Sequence, residues 1–158
     1  MYDNILVPLD GSRLAEQALE HATALAKGHG ATVHLLHVLT QHPGGAAPIG
    51  GGLEADHSRE RTAELARQLE EARLTHAQEY LDHTAERLQR EGLKTATWVS
   101  QGPPDQEIVE YVRRNDIDLV VMSTHGHGGI RRLLTGSVTE RVVRSGEAPV
   151  LVVPPREG

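Results

Sequence analysis

Ile117-Asp118-Leu119-Val120-Val121-Met122 runs into Ser123-Thr124-His125-Gly126, and regular patterning returns at Gly136-Ser137-Val138-Thr139. The first six residues form an apolar run rich in branched side chains, which predicts a buried strand. Val138-Thr139-Glu140-Arg141-Val142-Val143-Arg144 predicts a helix, stopped by Gly146 and Pro149. The loop between them carries glycines at 126, 128, 129 and 136. Strand, glycine loop and helix start together suit a phosphate. Glycine lets the backbone approach an anion, and the helix start offers unpaired N–H groups and the positive end of its dipole. Ser137 and Glu140 have capping-box spacing, which would mark the helix start. Glycine-rich βα loops also serve simply to turn the chain, and that reading stays open at this point. Two phosphate motifs are excluded. The lysines are Lys27 and Lys94 alone, so no P-loop lysine exists, and Arg131 stands where G-x-G-x-x-G would need its last glycine.

Outward from this stretch the chain alternates strand and helix. Asn4-Ile5-Leu6-Val7-Pro8-Leu9 reads as a strand buried on both faces, and Asp10-Gly11-Ser12 turns out of it. Ala15, Ala18, Leu19, Ala22, Leu25 and Ala26 recur at helical spacing up to Gly28 and Gly30. Val33-His34-Leu35-Leu36-His37-Val38 is the second strand, so the unit is βαβ with parallel strands and a right-handed crossover. Ligands in open α/β sheets bind beyond strand carboxyl ends, where strand order reverses. Asp10 at such an end can accept hydrogen bonds from ribose hydroxyls, or can cap the first helix through the Ser12 or Arg13 amide.

Residues 41–57 are Gly/Pro/Ala-rich and predict a flexible surface loop, with a lid over the strand ends as the second possibility. From about Ser58 to Glu91 the pattern is helical. Leu65, Leu69 and Ala72 form one apolar stripe, and Leu74, Ala77, Leu81, Ala85 and Leu88 another. The stripes fall out of phase near residue 73, which predicts a kink or break there. The charged part, about 58–75, is expected to project as a solvated helical insertion, with a partner-binding helix as the sharper alternative. Lys94-Thr95-Ala96-Thr97-Trp98-Val99-Ser100 alternates as a third, edge-type strand. Gly102-Pro103-Pro104-Asp105 opens a helix with buried Ile108, Val109 and Val112. Five strands and four helices result, in one domain over 1–158 without internal repeat.

Composition narrows the function. A chain of 158 residues with formal charge −6 lacks the basic face that nucleic acid demands. Zero cysteines remove disulfides, thiol catalysis and Cys-based metal sites. No apolar run is long enough for a transmembrane helix and no signal-peptide pattern opens the chain, so a cytoplasmic protein is expected. Among ten histidines, His34 and His37 lie three apart on a strand and face opposite sides. His76 and His83 share a helix face without carboxylate partners. His125 and His127 sit in the glycine loop, where one can contact a phosphate. No metal site is expected. Without a G-x-S-x-G elbow there is no presented serine, and no catalytic constellation emerges.

Gly126, nine residues, then Gly136-Ser137, a short helix and the strand Pro149-Val150-Leu151-Val152-Val153 resemble the universal stress protein family. Its nucleotide-binding branch carries G-x-x-G, nine residues, then G-[S/T]. Ser123 departs from that pattern at the first glycine, placing a side chain where backbone would pass near the nucleotide. Pro8-Leu9-Asp10 matches the family's V-P-x-D-like strand end, and only residues 41 to about 75 lie outside the resemblance. It implies a three-layer α/β fold with an open parallel five-stranded sheet in the order 3-2-1-4-5, Rossmann-like and of the adenine-nucleotide α-hydrolase type. It also implies ATP (or AMP or ADP) as ligand, with magnesium offsetting phosphate charge. Base would lie near Val38, and ribose near Asp10, Met122 and Ser123. Phosphates would lie over Gly126, Gly136, Ser137, Val138 and Thr139, with Pro8, Leu9 and Thr124 completing the binding set. Arg131 and Arg132 would add charge or remain solvated. Homodimers through the last strand, 150–153, would cover an apolar edge.

Three functions follow. One is an ATP-binding regulatory module with little or no turnover. Another is a non-nucleotide-binding dimeric stress protein acting through protein partners. The third is an enzyme of the wider adenine-nucleotide class, for which no base or second substrate pocket is found; slow hydrolysis or autophosphorylation is the most it would show.

Overall fold

Unbroken apolar sequence forces its strand to the middle of a sheet, since both faces must be covered. Asn4–Pro8 (β1) is such a strand, with Ile5, Leu6 and Val7 fully buried. The computed structural model describes residues 1–41, 53–124 and 137–156, with side chains of the long helix from residue 57 onward. The other elements in chain order are α1 (Arg13–His29), β2 (Thr32–Leu39), α2 (Leu53–Arg90), β3 (Lys94–Gln101), α3 (Pro104–Arg114), β4 (Leu119–Ser123), α4 (Ser137–Ser145) and β5 (Val150–Val153).

All strand pairs are parallel, in the order β3-β2-β1-β4-β5, which is the order the resemblance implies. Alternating residues of the central strands feed two cores. Ile5, Val7, Val33 and Leu35 meet α1 and α2 through Ala18, Ala22 and Leu81. Leu6, Leu36 and Val120 meet α3 and α4 through Ile108, Val112 and Val142. The result is three layers, with the strand-order reversal between β1 and β4. At that seam Asp118 Oδ2 accepts from the amides of Asp3 (2.7 Å) and Asn4 (3.1 Å), fixing the two central strands in register.

Helix ends follow local chemistry. Ser12 caps α1, its hydroxyl accepting from Ala15 N (3.2 Å), and Gly30 ends it in left-handed backbone (φ 71°), a conformation that favours glycine. Pro104 opens α3, with Asp105 and Glu107 in its first turn.

Two expectations are corrected. Helix α2 starts at Leu53, inside the segment expected to be loop, and continues through residue 73 without a break. The two apolar stripes differ because their surroundings differ. Every described side chain from His57 to Leu69 is exposed, Leu65 at 57% and Leu69 at 58%, whereas Ala77, Leu81, Ala85 and Leu88 pack on the sheet. At 1.5 Å per residue, residues 53–69 extend the helix by roughly 25 Å beyond its packed half. Ion pairs of Arg67 with Glu64 and Glu71 line this exposed length. Helix α4 begins at Ser137, where the Ser137/Glu140 spacing marks it, and the Glu140 carboxylate pairs with Arg144 (2.6 Å).

Strands β3 and β5 are the sheet's edges, with Trp98 (56% exposed) on one and Leu151 (37%) on the other. Among the described residues no helix is long and apolar enough to cross a membrane.

Candidate functional site

Parallel strands flanked by helices leave a crevice at their carboxyl ends, deepest where the strand order reverses. Here it is a cleft of about 500 Å³ beyond the ends of β1, β2 and β4, facing the first turn of α4. Of the twelve residues expected in a binding set, Pro8, Leu9, Asp10, Val38, Met122, Ser123, Ser137, Val138 and Thr139 line it. Thr124 does not; its amide donates to Val153 O (3.2 Å) at the sheet's end. Gly126 and Gly136 lie outside the described residues, as do His125, His127, Arg131 and Arg132.

Each wall has its own chemistry. Leu36, Ile108, Met122 and Ala15 make an apolar floor suited to a flat ring. Ser123 is buried at 8% exposure, and its carbonyl accepts from the buried Thr139 hydroxyl at 3.4 Å, tying β4's end to α4. The first turn of α4 therefore sits on the strand end, beside the cleft. Asp10 stands exposed at the rim, where Oδ1 accepts from Ser12 N (2.9 Å), and Gly11 makes the turn in left-handed backbone (φ 81°). The Ser12 amide is one of the partners that the capping reading named. The turn holds one carboxylate oxygen, and the side chain borders the cleft.

His34 and His37 point to opposite faces of β2. His34 Nδ1 bonds the Tyr111 hydroxyl (3.0 Å) and Nε2 meets Asn4 Oδ1 (3.1 Å), a set that fits neutral imidazole with the proton on Nε2. His37 lies on the cleft side, edge-on to Tyr80 with ring centroids 6.2 Å apart. Burial holds the His37 imidazole below its ordinary 6.5; Asp10 pulls the other way, and Arg73 adds to the lowering. Tyr80 donates to Glu16 Oε1 (2.7 Å), and burial together with that carboxylate pushes its phenol well up. Among the described residues no three His, Cys, Asp or Glu side chains gather as a metal site.

The sequence did not single out Arg73 for this cleft. Asp10 and Arg73 are the carboxylate and the guanidinium among its described lining residues. Arg73 lies on α2, where sequence shows only a charged helix surface; what brings it in is the packing of α2 against β2 and β3.

The fit to an adenine nucleotide can be judged on these residues. An apolar floor, a carboxylate at the rim and a helix start with the Ser137 hydroxyl offer surfaces for base, ribose and phosphate respectively. The residues present fit the group.

Comparison with known proteins gives the same architecture. The profile of the universal stress protein family matches residues 1–154. Universal stress protein MJ0531 of Methanocaldococcus jannaschii is 35% identical over 153 residues, covering 97% of this chain and 82% of its own. The solved structure of MJ0577 from the same organism superposes with a TM-score of 0.74 at 31% identity, covering 100% of this chain and 99% of that one. Two solved structures share the fold at lower identity. A universal stress protein in complex with cAMP has a TM-score of 0.59 at 21% identity, over 97% of each chain. An Arabidopsis thaliana family protein with AMP bound has 0.61 at 19%, over 98% of this chain and 92% of that one.

Proposed function

Because the chain belongs to the universal stress protein family, we propose that its cleft binds an adenine nucleotide and that the protein works as a nucleotide-dependent regulatory module. The observation that carries this is the gathering of nine sequence-selected residues around one cleft at the β1/β4 reversal, against the first turn of α4. The fold relatives carrying AMP and cAMP support an adenine nucleotide as the ligand class.

In this reading the base lies on the floor beside Val38, with Met122 beneath. The Asp10 carboxylate accepts from ribose hydroxyls while Ser12 N keeps it oriented. Backbone N–H groups at Ser137, Val138 and Thr139 receive phosphate oxygens, with Gly126 and Gly136 completing the cradle. Magnesium would supply the charge neutralisation that lysine gives elsewhere. ATP is the nucleotide proposed, bound with little or no turnover. The protein is proposed to be a cytoplasmic homodimer, joined through β5.

Ser123 favours a second reading, a dimeric stress protein that acts through protein partners without nucleotide. Its side chain stands where the family's nucleotide-binding branch has glycine. One experiment separates the two. Purified protein is denatured, released nucleotide is sought by chromatography, and ATP with magnesium is then titrated calorimetrically into nucleotide-free protein. Released or tightly titrating ATP or AMP is the expected outcome; no nucleotide and no heat would transfer the case to the second reading.

A further inference from the structure

Strand β3, eight residues over Lys94–Gln101, is an edge of the sheet and pairs with β2 alone among the described residues. Such an edge leaves a row of backbone donors and acceptors for a further strand, and Thr95–Gln101 carry no charge that would repel one. The two faces of β3 differ. Thr95, Thr97 and Gln101 bond Gln89, Gln78 and Glu70 of α2. Trp98 and Ser100 alternate with them and turn to α3, where a pocket of about 230 Å³ opens against Glu107, Glu110, Tyr111 and Arg114. It shares no lining residue with the candidate nucleotide cleft. Its volume falls below the roughly 300–1,000 Å³ of small-molecule sites and suits one long side chain.

The polar groups of this pocket are unevenly satisfied. Arg114 Nε pairs with Glu110 (2.7 Å), and the Tyr111 hydroxyl is bonded to His34 Nδ1 (3.0 Å). The Glu107 carboxylate has no hydrogen bond or ion pair among the described residues. It lies against Gly102, just past β3, where a Cβ would come within 2.7 Å of Oε1. Ser100 Oγ is buried without a hydrogen-bond partner, and Trp98 is 56% exposed. An open aromatic ring, an unpaired carboxylate and an unsatisfied hydroxyl are together the complement of a cationic side chain rich in N–H donors.

We infer that the β3 edge is a docking site for an extended peptide strand that sets a basic side chain, arginine or lysine, into the Trp98 pocket. Backbone hydrogen bonds of the added strand supply affinity, and the pocket supplies selectivity. The cation meets the Trp98 ring and the Glu107 carboxylate, and its N–H groups are the donors that Ser100 Oγ lacks. A second copy of β3 offers the pocket only uncharged residues over Thr95–Gln101, so charge favours a different strand. The inference is independent of the nucleotide reading.

The test uses a synthetic peptide of about seven residues that alternates threonine with valine around a central arginine, and a control with glutamine at the centre. Trp98 is the chain's one tryptophan, so its emission reports the pocket directly. The arginine peptide is expected to shift that emission and to bind roughly 5- to 20-fold more tightly than the control. Glu107→Gln should remove roughly 2- to 5-fold of the preference, and Trp98→Ala, followed by calorimetry, a similar factor. Circular dichroism confirms that each variant folds. No binding of the arginine peptide, equal binding of the two peptides, or an unchanged preference in either variant would overturn the inference. Binding that survives N-methylation of the peptide backbone would overturn it by removing the added strand. Trp98 emission that changes with protein concentration alone would assign the edge to a second copy and overturn it as well.

Discussion

The two halves of α2 should respond unequally to the same substitution. Leu81 is completely buried between the helix and the sheet, while Leu69, three turns earlier, is 58% exposed. Leu81→Ala removes roughly three methylene equivalents from the core, about 2.4 kcal/mol at ~0.8 kcal/mol each. The residual cavity adds to that, so a total of about 3–4 kcal/mol is expected, within the range for buried leucines. Leu69→Ala exchanges one exposed helix former for a better one and should change stability by no more than about 0.5 kcal/mol. Urea unfolding followed by far-ultraviolet circular dichroism measures both, with the slope unchanged so that midpoints report stability. Comparable losses in the two variants would refute the reasoning. Leu69 would then be packed in solution, and the first half of α2 would not stand clear of the sheet.

The remaining predictions concern the site, pH and assembly. Asp10→Ala should leave the fold intact and weaken adenine-nucleotide binding by roughly 10- to 100-fold, the worth of a hydrogen bond to a charged group, read by calorimetry; wild-type affinity in the variant would remove Asp10 from the site. Burial holds His34 below its ordinary 6.5, offset only in part by Asp118, and His37 shifts the same way. The unfolded chain therefore binds more protons just below that value, so stability is level above it and falls as pH drops through the window beneath. Melting temperatures at about pH 8 and pH 5 should diverge, and less so in His34→Gln; equal pH slopes in the two proteins would contradict this. Leu151→Lys places charge on the β5 edge and should turn a dimer into a monomer by sedimentation, whereas a monomeric wild type would refute assembly through that edge.

The strands were legible because each central one is an unbroken apolar run, a pattern that only burial on both faces produces. Ile5, Leu6 and Val7 are the plainest instance. The order of the strands was not in any local pattern and came from the family resemblance. Helix α2 shows how local reading fails. The phase slip at residue 73 looked like a break, yet it records a change in what covers the helix, from water to sheet, with the backbone continuous. Its start at Leu53 was hidden by the glycine-rich residues before it. In the cleft, Asp10 was legible from the turn after β1 and Ser137 from the start of α4, whereas Thr139 came from the family resemblance. Arg73 had no such signal, being one charge among many on a helix; only the packing of α2 against β2 and β3 distinguishes it from Arg67, which is spent on its own helix.

Edge strands also decide how far an assembly can grow. Joining two copies about a two-fold axis at β5 makes one continuous sheet whose two outer rims are both β3. Strand β3 is twice as long as β5, and Thr95–Gln101 along it carry no charge. Were it to pair with itself about a second two-fold, the two axes on opposite rims would combine into a translation. The closed pair would become an open fibre. The finite size of such an assembly is therefore set by the rim that stays single, and a charge placed at Thr97 would guard solubility without touching the dimer.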